Sequence, residues 1–182
     1  MAEQIKTRMT AAEFLQLPET NLPVQLLDGE VIEMGAPELP HQDIVGDTFV
    51  LFKLKAKELD GKAYVAPVDV YLDELNIPQP DVIWLAPDTK CQMVGTQRLS
   101  GAPDLIAEVL SPSTAHIDRK RKFRLYEKYR VREYWLVDPR DQLVEVWQHQ
   151  DERFVLLDVY GVGETFMSSL LGEVKVDILF DR

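Results

Sequence analysis

The sequence of 182 residues contains one cysteine, Cys91, which excludes an intramolecular disulfide and any zinc site built from several cysteines. It also lacks a run of about 18 uninterrupted apolar residues, so no membrane-spanning helix is predicted. Residues 1–9 carry charges and no apolar core, and therefore do not have the pattern of a secretory signal. These absences favour a reducing, cytoplasmic compartment.

Basic residues are scarce: 20 Lys and Arg stand against 31 Asp and Glu, which gives a net charge of -11. Nonspecific binding of nucleic acid depends mostly on neutralisation of phosphates by Lys and Arg. This composition therefore argues against a protein that coats nucleic acid. A nucleic-acid enzyme remains open, because it needs only a locally basic surface and a metal ion.

The hydrophobic pattern predicts an α/β or α+β fold with a mixed sheet. With 46% apolar and 28% charged residues and no internal repeat, the chain is predicted to be a single globular domain over residues 1–182. Thr10 and Glu13 form a capping-box pattern for a short helix, and Asp28-Gly29 predicts a hairpin turn. Helices are predicted near 10–17, over 41–59 and over 118–130, and strands over 24–27, 30–34, 62–72, 80–85, 103–110, 134–138, 143–147 and 154–159; residues 86–102 are predicted to be a loop, and residues 165–182 give no clear pattern.

Three acidic residues lie on neighbouring predicted strands. Asp104 and Glu108 share a face of one strand but are about 13 Å apart along it, too far to hold one magnesium ion together. Asp81 opens the adjacent strand and can pair with one of them. Glu108 is the better partner, because it lies among apolar residues, where a carboxylate is costly unless it binds a cation or another partner. A salt-bridged or strand-edge carboxylate is the alternative interpretation.

The predicted helix over residues 118–130 is strongly basic, since eight of the fourteen residues from Arg119 to Arg132 are Lys or Arg. At about 100° per residue, the outer face is predicted to carry Lys120, Arg121, Arg124 and Lys128. Lys122 instead falls on the inward stripe with Leu125 and Tyr126. Its charge would be desolvated there unless a carboxylate or a phosphate meets it. The alternative is a lysine that extends its amine out to solvent.

Two carboxylates on strands, an inward lysine and a basic helix face together suit phosphodiester hydrolysis. The carboxylates would hold Mg²⁺, which acidifies a water molecule and neutralises charge on the phosphate. The lysine would orient the attacking water or stabilise the charged transition state.

The same segments resemble the Uma-type putative restriction endonuclease family of the PD-(D/E)XK nuclease superfamily. The resemblance runs from about Thr10 to Val159, and its most specific part lies between Pro103 and Pro139. The matching segments are Leu26-Leu27-Asp28-Gly29-Glu30, His41-Gln42, Pro80-Asp81, Pro103-Asp104-Leu-Ile-Ala-Glu108-Val-Leu-Ser111-Pro112-Ser113-Thr114, Asp118 with Lys122 and Tyr126, and Glu133-Tyr134-Trp135-Leu136-Val137-Asp138-Pro139.

The resemblance implies a restriction-endonuclease-like core, a central mixed β-sheet flanked by helices, and a Mg²⁺-dependent activity on DNA, with Mn²⁺ as a substitute ion. Asp81 and Glu108 would be metal ligands and catalytic acids, and the main-chain carbonyl of Val109 would complete the coordination. Leu110 departs from the compact motif, which has its lysine at this position. The resemblance implies that Lys122 takes over this role, and that Glu30 is an additional acid.

Several alternatives remain open from the sequence. Glu30 is equally well an ordinary glutamate after a turn. His41 follows a Pro-rich loop and is interpreted as a helix cap, a general base or neither, whereas Asp104 is expected to fix backbone at the start of its strand. The same fold could serve as a catalytically inactive module that binds DNA or protein, which the net charge of -11 favours. A glycosidase is disfavoured because the tryptophans are expected in the core, and a homodimer would suit cleavage of both strands of a duplex.

Overall fold

The computed structural model describes residues 8–18 and 23–180, and its centre is a six-stranded mixed sheet. In chain order the elements are α1 (Ala11–Phe14), β1 (Val24–Leu27), β2 (Glu30–Glu33), α2 (Leu39–Leu59), β3 (Lys62–Val65), β4 (Asp69–Tyr71), β5 (Val82–Leu85), β6 (Gln92–Val94), β7 (Arg98–Ser100), β8 (Leu105–Val109), a π-helix (Ile117–Lys122) that continues into α3 (Phe123–Lys128), β9 (Glu133–Asp138), β10 (Leu143–Gln150), β11 (Arg153–Gly161), β12 (Thr165–Ser168), β13 (Gly172–Lys175) and a 3₁₀-helix (Val176–Leu179).

The strand order of the central sheet is β11-β10-β9-β8-β5-β3. Its neighbouring strands run antiparallel except β8 and β9, which are parallel and are connected through the π-helix and α3. Among the described residues, β1–β2 and β12–β13 form two-stranded sheets, and β4, β7 and β6 form a three-stranded one. The predicted mixed sheet flanked by helices is confirmed.

The local signals at the start of the chain are also confirmed. Thr10 caps α1 in a complete capping box with Glu13. Asp28 and Gly29 adopt positive φ angles of 52° and 75° in the β1–β2 turn, a conformation that glycine tolerates well.

Three predicted elements need correction. The strand expected over 62–72 is divided into β3 and β4, which belong to different sheets. The loop expected over 86–102 contains the short strands β6 and β7. The helix expected over 118–130 begins with a π-helical turn, so its spacing is not purely α-helical. The unassigned tail supplies β12, β13 and the 3₁₀-helix.

The two faces of the central sheet are covered by different elements. One face packs against α2 and the C-terminal segments, with Trp84 and Trp135 fully buried beside Phe52. The other face packs against α3, with Ile106 and Tyr134 in the same cluster as Leu125 and Tyr126. Because strand residues alternate between faces, each β8 side chain is assigned to one of these two layers. Within the described residues, no helix has the length and apolarity needed to cross a membrane.

Gly61 shows how closely α2 approaches the sheet. A Cβ atom at this position would lie 2.6 Å from the carbonyl oxygen of Leu85 and 2.7 Å from the ring of Trp84. Gly46 lies within α2, and a Cβ atom there would have no neighbour within 4 Å, so it offers a matched comparison in the same chain.

We expect Gly61→Ala to lower the free energy of unfolding by about 1–3 kcal/mol, because the sheet or the helix must move to admit the methyl group. Gly46→Ala is expected to raise it by about 0.5–1 kcal/mol, because alanine favours an exposed helix position over glycine. Urea unfolding of both variants checks this, and equal effects at the two positions would contradict the packing described here.

Candidate active site

The side chain of Glu108 lies on the α3 face of the sheet. Its strand neighbours Ile106 and Leu110 belong to the core on that face, whereas Ala107 and Val109 belong to the opposite core. Glu108 is only 1% exposed. A carboxyl group this deep in an apolar strand requires polar partners, and the structure provides them from the next helix.

Lys122 reaches Glu108 from the end of the π-helix. Its Nζ lies 2.9 Å from Glu108 Oε1 and 3.3 Å from Asp118 Oδ1, and the lysine is itself only 1% exposed. Nζ also donates to the carbonyl oxygen of Gln79 at 3.5 Å. The inward orientation of Lys122 predicted from helical spacing is therefore observed, and the amine does not extend to solvent.

Tyr126 and Asp118 complete the buried cluster. The Tyr126 hydroxyl donates to Glu108 Oε1 at 2.8 Å, and both groups are fully buried. Asp118 is also buried, and its main-chain oxygen accepts a hydrogen bond from the Tyr134 hydroxyl. The sequence spacing of Asp118, Lys122 and Tyr126 at intervals of four pointed to one helix face, but neither Asp118 nor Tyr126 was assigned to the site from sequence.

Asp81 lies beside this cluster at the start of β5. The register pairs Val82 with Ala107, so one further step places Asp81 across from Glu108. Asp81 Oδ2 accepts a hydrogen bond from the Val109 main-chain N–H at 2.8 Å, which ties it to β8. The expected pairing of Asp81 with Glu108 on adjacent strands is thus the arrangement found.

The cluster contains three carboxyl groups, those of Asp81, Glu108 and Asp118, and one ammonium, that of Lys122. Burial, opposed by the charge of Lys122 and reinforced by those of Asp118 and Asp81, raises the pKa of Glu108 to about 8. Burial likewise raises the pKa of Asp118, against the opposing charge of Lys122. Burial alone would lower the pKa of Lys122, but the surrounding carboxyl groups outweigh it and raise that pKa. The ammonium of Lys122 therefore stays protonated, and the raised pKa values of Glu108 and Asp118 favour the protonated forms of these two carboxyl groups.

His41 joins the cluster from the first turn of α2. Its Nε2 lies 2.9 Å from the carbonyl oxygen of Val109 and 3.5 Å from Asp81 Oδ2. Burial lowers the pKa of His41, but the Asp81 carboxylate and the Val109 carbonyl outweigh it and leave that pKa raised. No sequence signal could have identified this contact, because Val109 lies 68 residues away along the chain.

Asp81, Glu108, Asp118 and His41 form the floor of a cleft of about 1060 Å³, whereas Lys122 and Tyr126 are buried and do not line it. Its wall includes the Pro-containing loop before α2, the turn after β8 and the turn after β9. Ser111 and Thr114 hold the middle segment through a hydroxyl pair at 2.7 Å, as expected for a turn that ends the strand. The charged residues along the cleft, apart from the cluster itself, are Glu38, Arg119, Asp138, Arg140 and Asp141.

The basic helix surface is largely neutralised by neighbouring acids. Arg119 pairs with Glu145, and Arg121 pairs with Asp28 and Glu30. Arg121 also donates to the carbonyl oxygen of Leu27, and it is half-buried rather than outward as predicted. Other pairs join Lys128 to Asp73, Arg130 to Glu152, and Arg132 to Asp88 and Asp104.

Two predicted residues lie outside the cluster. Glu30 is half-exposed on β2, pairs with Arg121 at 3.1 Å and does not line the cleft, so its role as an accessory acid stays a prediction. Asp104 accepts a hydrogen bond from the Ala86 main-chain N–H at 2.9 Å, as expected for a residue that fixes backbone.

The donor atoms at the cleft floor fit a hard divalent cation in chemical kind. Asp81, Glu108 and the Val109 carbonyl are oxygen donors of the type that Mg²⁺ and Mn²⁺ bind. With Asp118 there are three carboxyl groups beside one ammonium, and a divalent cation would favour their ionised forms. Over residues 8–18 and 23–180, no three His, Cys, Asp or Glu side chains are already arranged around a common metal position. Glu108 Oε1 is instead held by Lys122 and Tyr126.

The chain is similar to known proteins in sequence and in structure. Residues 11–178 match the family Uma2, described as "Putative restriction endonuclease". The chain is 30% identical over 156 residues to the uncharacterized protein sll1609 of Synechocystis sp., and the match covers 82% of this chain and 85% of that protein. It also resembles a crystal structure described as a putative nuclease belonging to DUF820 from Anabaena variabilis, with a TM-score of 0.77 and 20% identity over 94% of this chain and 97% of that one.

The raised pKa of Glu108 predicts a pH-dependent stability in the absence of divalent ions. Between about pH 4.5 and 8 the folded protein keeps a proton that the unfolded chain releases, so the free energy of unfolding should fall as pH rises. The slope attributable to one such proton is at most about 1.4 kcal/mol per pH unit. Glu108→Gln replaces the titrating carboxyl group by an amide. The free energy of unfolding of this variant should therefore vary less with pH between about pH 4.5 and 8.

Urea unfolding in EDTA at several pH values measures this difference. Glu173→Gln, at an exposed strand position, controls for the loss of a carboxylate as such. Parallel pH dependence of the wild type and Glu108→Gln would show that Glu108 does not hold the proton.

Proposed function

The chain belongs to the Uma2 family of putative restriction endonucleases, and on this basis we propose that it is a metal-dependent endonuclease that hydrolyses phosphodiester bonds in DNA. The observation that carries the proposal is the buried cluster at the cleft floor. There Lys122 lies 2.9 Å from Glu108, and Asp81 lies across from Glu108 on the neighbouring strand.

Two strand-borne carboxylates and a lysine are the groups that such hydrolysis needs. In the proposed function, Asp81, Glu108 and the Val109 carbonyl hold Mg²⁺ or Mn²⁺. The bound ion supplies Lewis acidity and lowers the pKa of a water molecule. Asp81 is held in place by the Val109 main-chain N–H, so its carboxylate is oriented before any ligand enters the cleft.

Lys122 acts in this proposal as a hydrogen-bond donor and a fixed positive charge. Its raised pKa keeps the amine protonated, so it does not remove a proton from water at neutral pH. An ammonium in a desolvated site stabilises developing negative charge more strongly than it would in water. Asp118 and Glu108 line the cleft and hold Nζ, and Tyr126 donates a hydrogen bond to the shared Glu108 oxygen.

Contacts with DNA in this proposal come from the rim rather than from a broad basic surface. Arg119 and Arg140 line the cleft. Lys120 and Arg124 are exposed on the π-helix and α3, and they have no ion pair among the residues that the structure describes. Few free cations beside many acids predict weak affinity for DNA in the absence of a divalent ion. Homodimer formation stays a prediction.

A catalytically inactive module is the second candidate. The observation that favours it is that Glu108 Oε1 is already engaged by Lys122 and Tyr126, as in a purely structural ion pair. In such a module the acids would have no affinity for divalent ions.

We expect Asp81→Asn and Lys122→Met each to reduce cleavage of plasmid DNA by at least about 100-fold in the presence of Mg²⁺ or Mn²⁺. Asp81→Asn removes a metal-binding charge, and Lys122→Met removes the cation beside the reacting phosphate. The rate is measured by the loss of supercoiled plasmid, with EDTA as the metal-free reference.

Matched substitutions at exposed positions control for changes in charge alone. Asp151→Asn in the β10–β11 turn and Lys175→Met on β13 should cleave like the wild type. Lys122→Met leaves buried carboxylates without their cation and should cost about 3–5 kcal/mol of stability, so its folding is checked by thermal unfolding. If Lys122→Met does not fold, the less buried Asp81→Asn tests the proposed endonuclease activity by itself. Full activity of Asp81→Asn would overturn the proposal.

Titration calorimetry with Mn²⁺ separates the two candidate functions. We expect binding at millimolar or lower ion concentration for the wild type and a loss of at least about tenfold in affinity for Asp81→Asn, because a ligating charge is removed. Asp151→Asn should bind like the wild type. Absence of binding to the wild type at millimolar Mn²⁺ would favour the inactive module.

A further inference from the structure

His41 is the one imidazole at the cleft floor among the described residues, and the proposed function gives it no role. It is held in the first turn of α2, a helix of 21 residues, so its position is set by a rigid element rather than a loop. Its side chain and that of Asp81 are each 16% exposed, and both line the cleft. The ring is therefore accessible to a small ion that enters from solvent.

The direction of the ring is specific. Nε2 points at two oxygen atoms, the Val109 carbonyl at 2.9 Å and Asp81 Oδ2 at 3.5 Å. Both oxygens belong to the donor set of the proposed function. Neighbouring donors around a six-coordinate ion with bonds near 2.1 Å lie about 3 Å apart, so these separations are close to those of adjacent ligands.

The other ring nitrogen, Nδ1, does not face these oxygen donors with a contact of its own. His41 Nδ1 is buried and has no hydrogen-bond partner in the part of the chain that the structure describes. The polar contacts of the ring therefore concentrate at Nε2. Asp81 Oδ2 already accepts a hydrogen bond from the Val109 main-chain N–H at 2.8 Å, so it does not depend on His41 for a partner.

We propose that His41 Nε2 is a nitrogen ligand of the divalent cation, and that it shifts the preference of this site from Mg²⁺ towards Mn²⁺ and later transition metals. This inference rests on the proposed function, because it uses the same metal position. An imidazole nitrogen binds transition metals well but adds little for Mg²⁺, which prefers oxygen ligands and retains its water. The site would then combine Asp81, Glu108, the Val109 carbonyl and His41.

The chain offers a direct spectroscopic test because it contains only three histidines, His41, His116 and His149. Electron spin-echo modulation of bound Mn²⁺ detects the nitrogen of a coordinated imidazole without any need for activity. We expect this signal in the wild type and in His116→Ala, whose residue is exposed and does not line the cleft. The signal should be absent in His41→Ala and in His41→Gln.

Calorimetry provides the second readout. Both His41 variants should bind Mn²⁺ about tenfold or more weakly, whereas their affinity for Mg²⁺ should change less than about threefold. His41→Gln retains a side-chain amide that can donate to the carbonyl oxygen of Val109. It therefore replaces His41→Ala in the titration if His41→Ala does not fold. Thermal unfolding of each variant establishes that the folded protein is being titrated.

The outcomes separate this inference from the proposed function. Binding of Mn²⁺ without an imidazole signal, or with a signal that persists in both His41 variants, would overturn the role of His41 and leave the nuclease proposal standing. An equal loss of Mn²⁺ and Mg²⁺ affinity would overturn the shift in preference. Absence of Mn²⁺ binding to the wild type would overturn the metal-dependent nuclease itself, and this inference with it.

Discussion

The ion pair between Lys122 and Glu108 connects β8 to the helical segment that follows it, almost entirely out of water. Desolvation of two charges costs several kcal/mol, and their attraction offsets this only when further hydrogen bonds satisfy both groups. Tyr126 and Asp118 supply those bonds. Because apolar residues of similar volume often give equal or greater stability, a buried pair is weak evidence for a stabilising role. Glu108 also lines an open cleft, which is the position that the proposed catalytic role requires.

The geometry of the site follows from the regular parts of the fold. Strand alternation directs Glu108 to the face covered by α3, and the antiparallel register brings Asp81 across from it. The parallel step from β8 to β9 requires a crossover, and this crossover is the segment that carries Lys122. Glu108 and Lys122 therefore meet because β8 and the crossover segment follow each other in the chain, whereas Asp81 is brought in by the pairing of β5 with β8, which β6 and β7 separate in sequence.

The sequence was informative where one residue broke a strong local pattern. Glu108 interrupts an apolar strand and Lys122 interrupts an inward helix stripe, so both could be placed from periodicity alone. Periodicity could not reveal that Lys122 ends a π-helix, because the change to i→i+5 bonding leaves no separate signal in residue types. Strands β6 and β7 were missed because each has only three residues, and Met93 and Val94 are exposed. The contact of His41 with Val109 depends on tertiary packing alone.

Electrostatics at the cleft floor distinguishes the two candidate functions. Asp81, Glu108 and Asp118 outnumber the single ammonium of Lys122, in a chain whose net charge is already -11. Without a cation the raised pKa values of Glu108 and Asp118 favour protonated carboxyl groups, and each carboxylate that does ionise would repel a phosphate about 5 Å away by about 3 kcal/mol at an effective dielectric constant near 20. A module that binds DNA without a metal would gain nothing from such a repulsion at the deepest point of its cleft. A nuclease that binds its cation first would draw its ion affinity from the same carboxyl groups, and the bound ion would then attract the phosphate. This concentration of carboxyl groups thus fits the proposed cation-dependent site better than a passive DNA-binding surface.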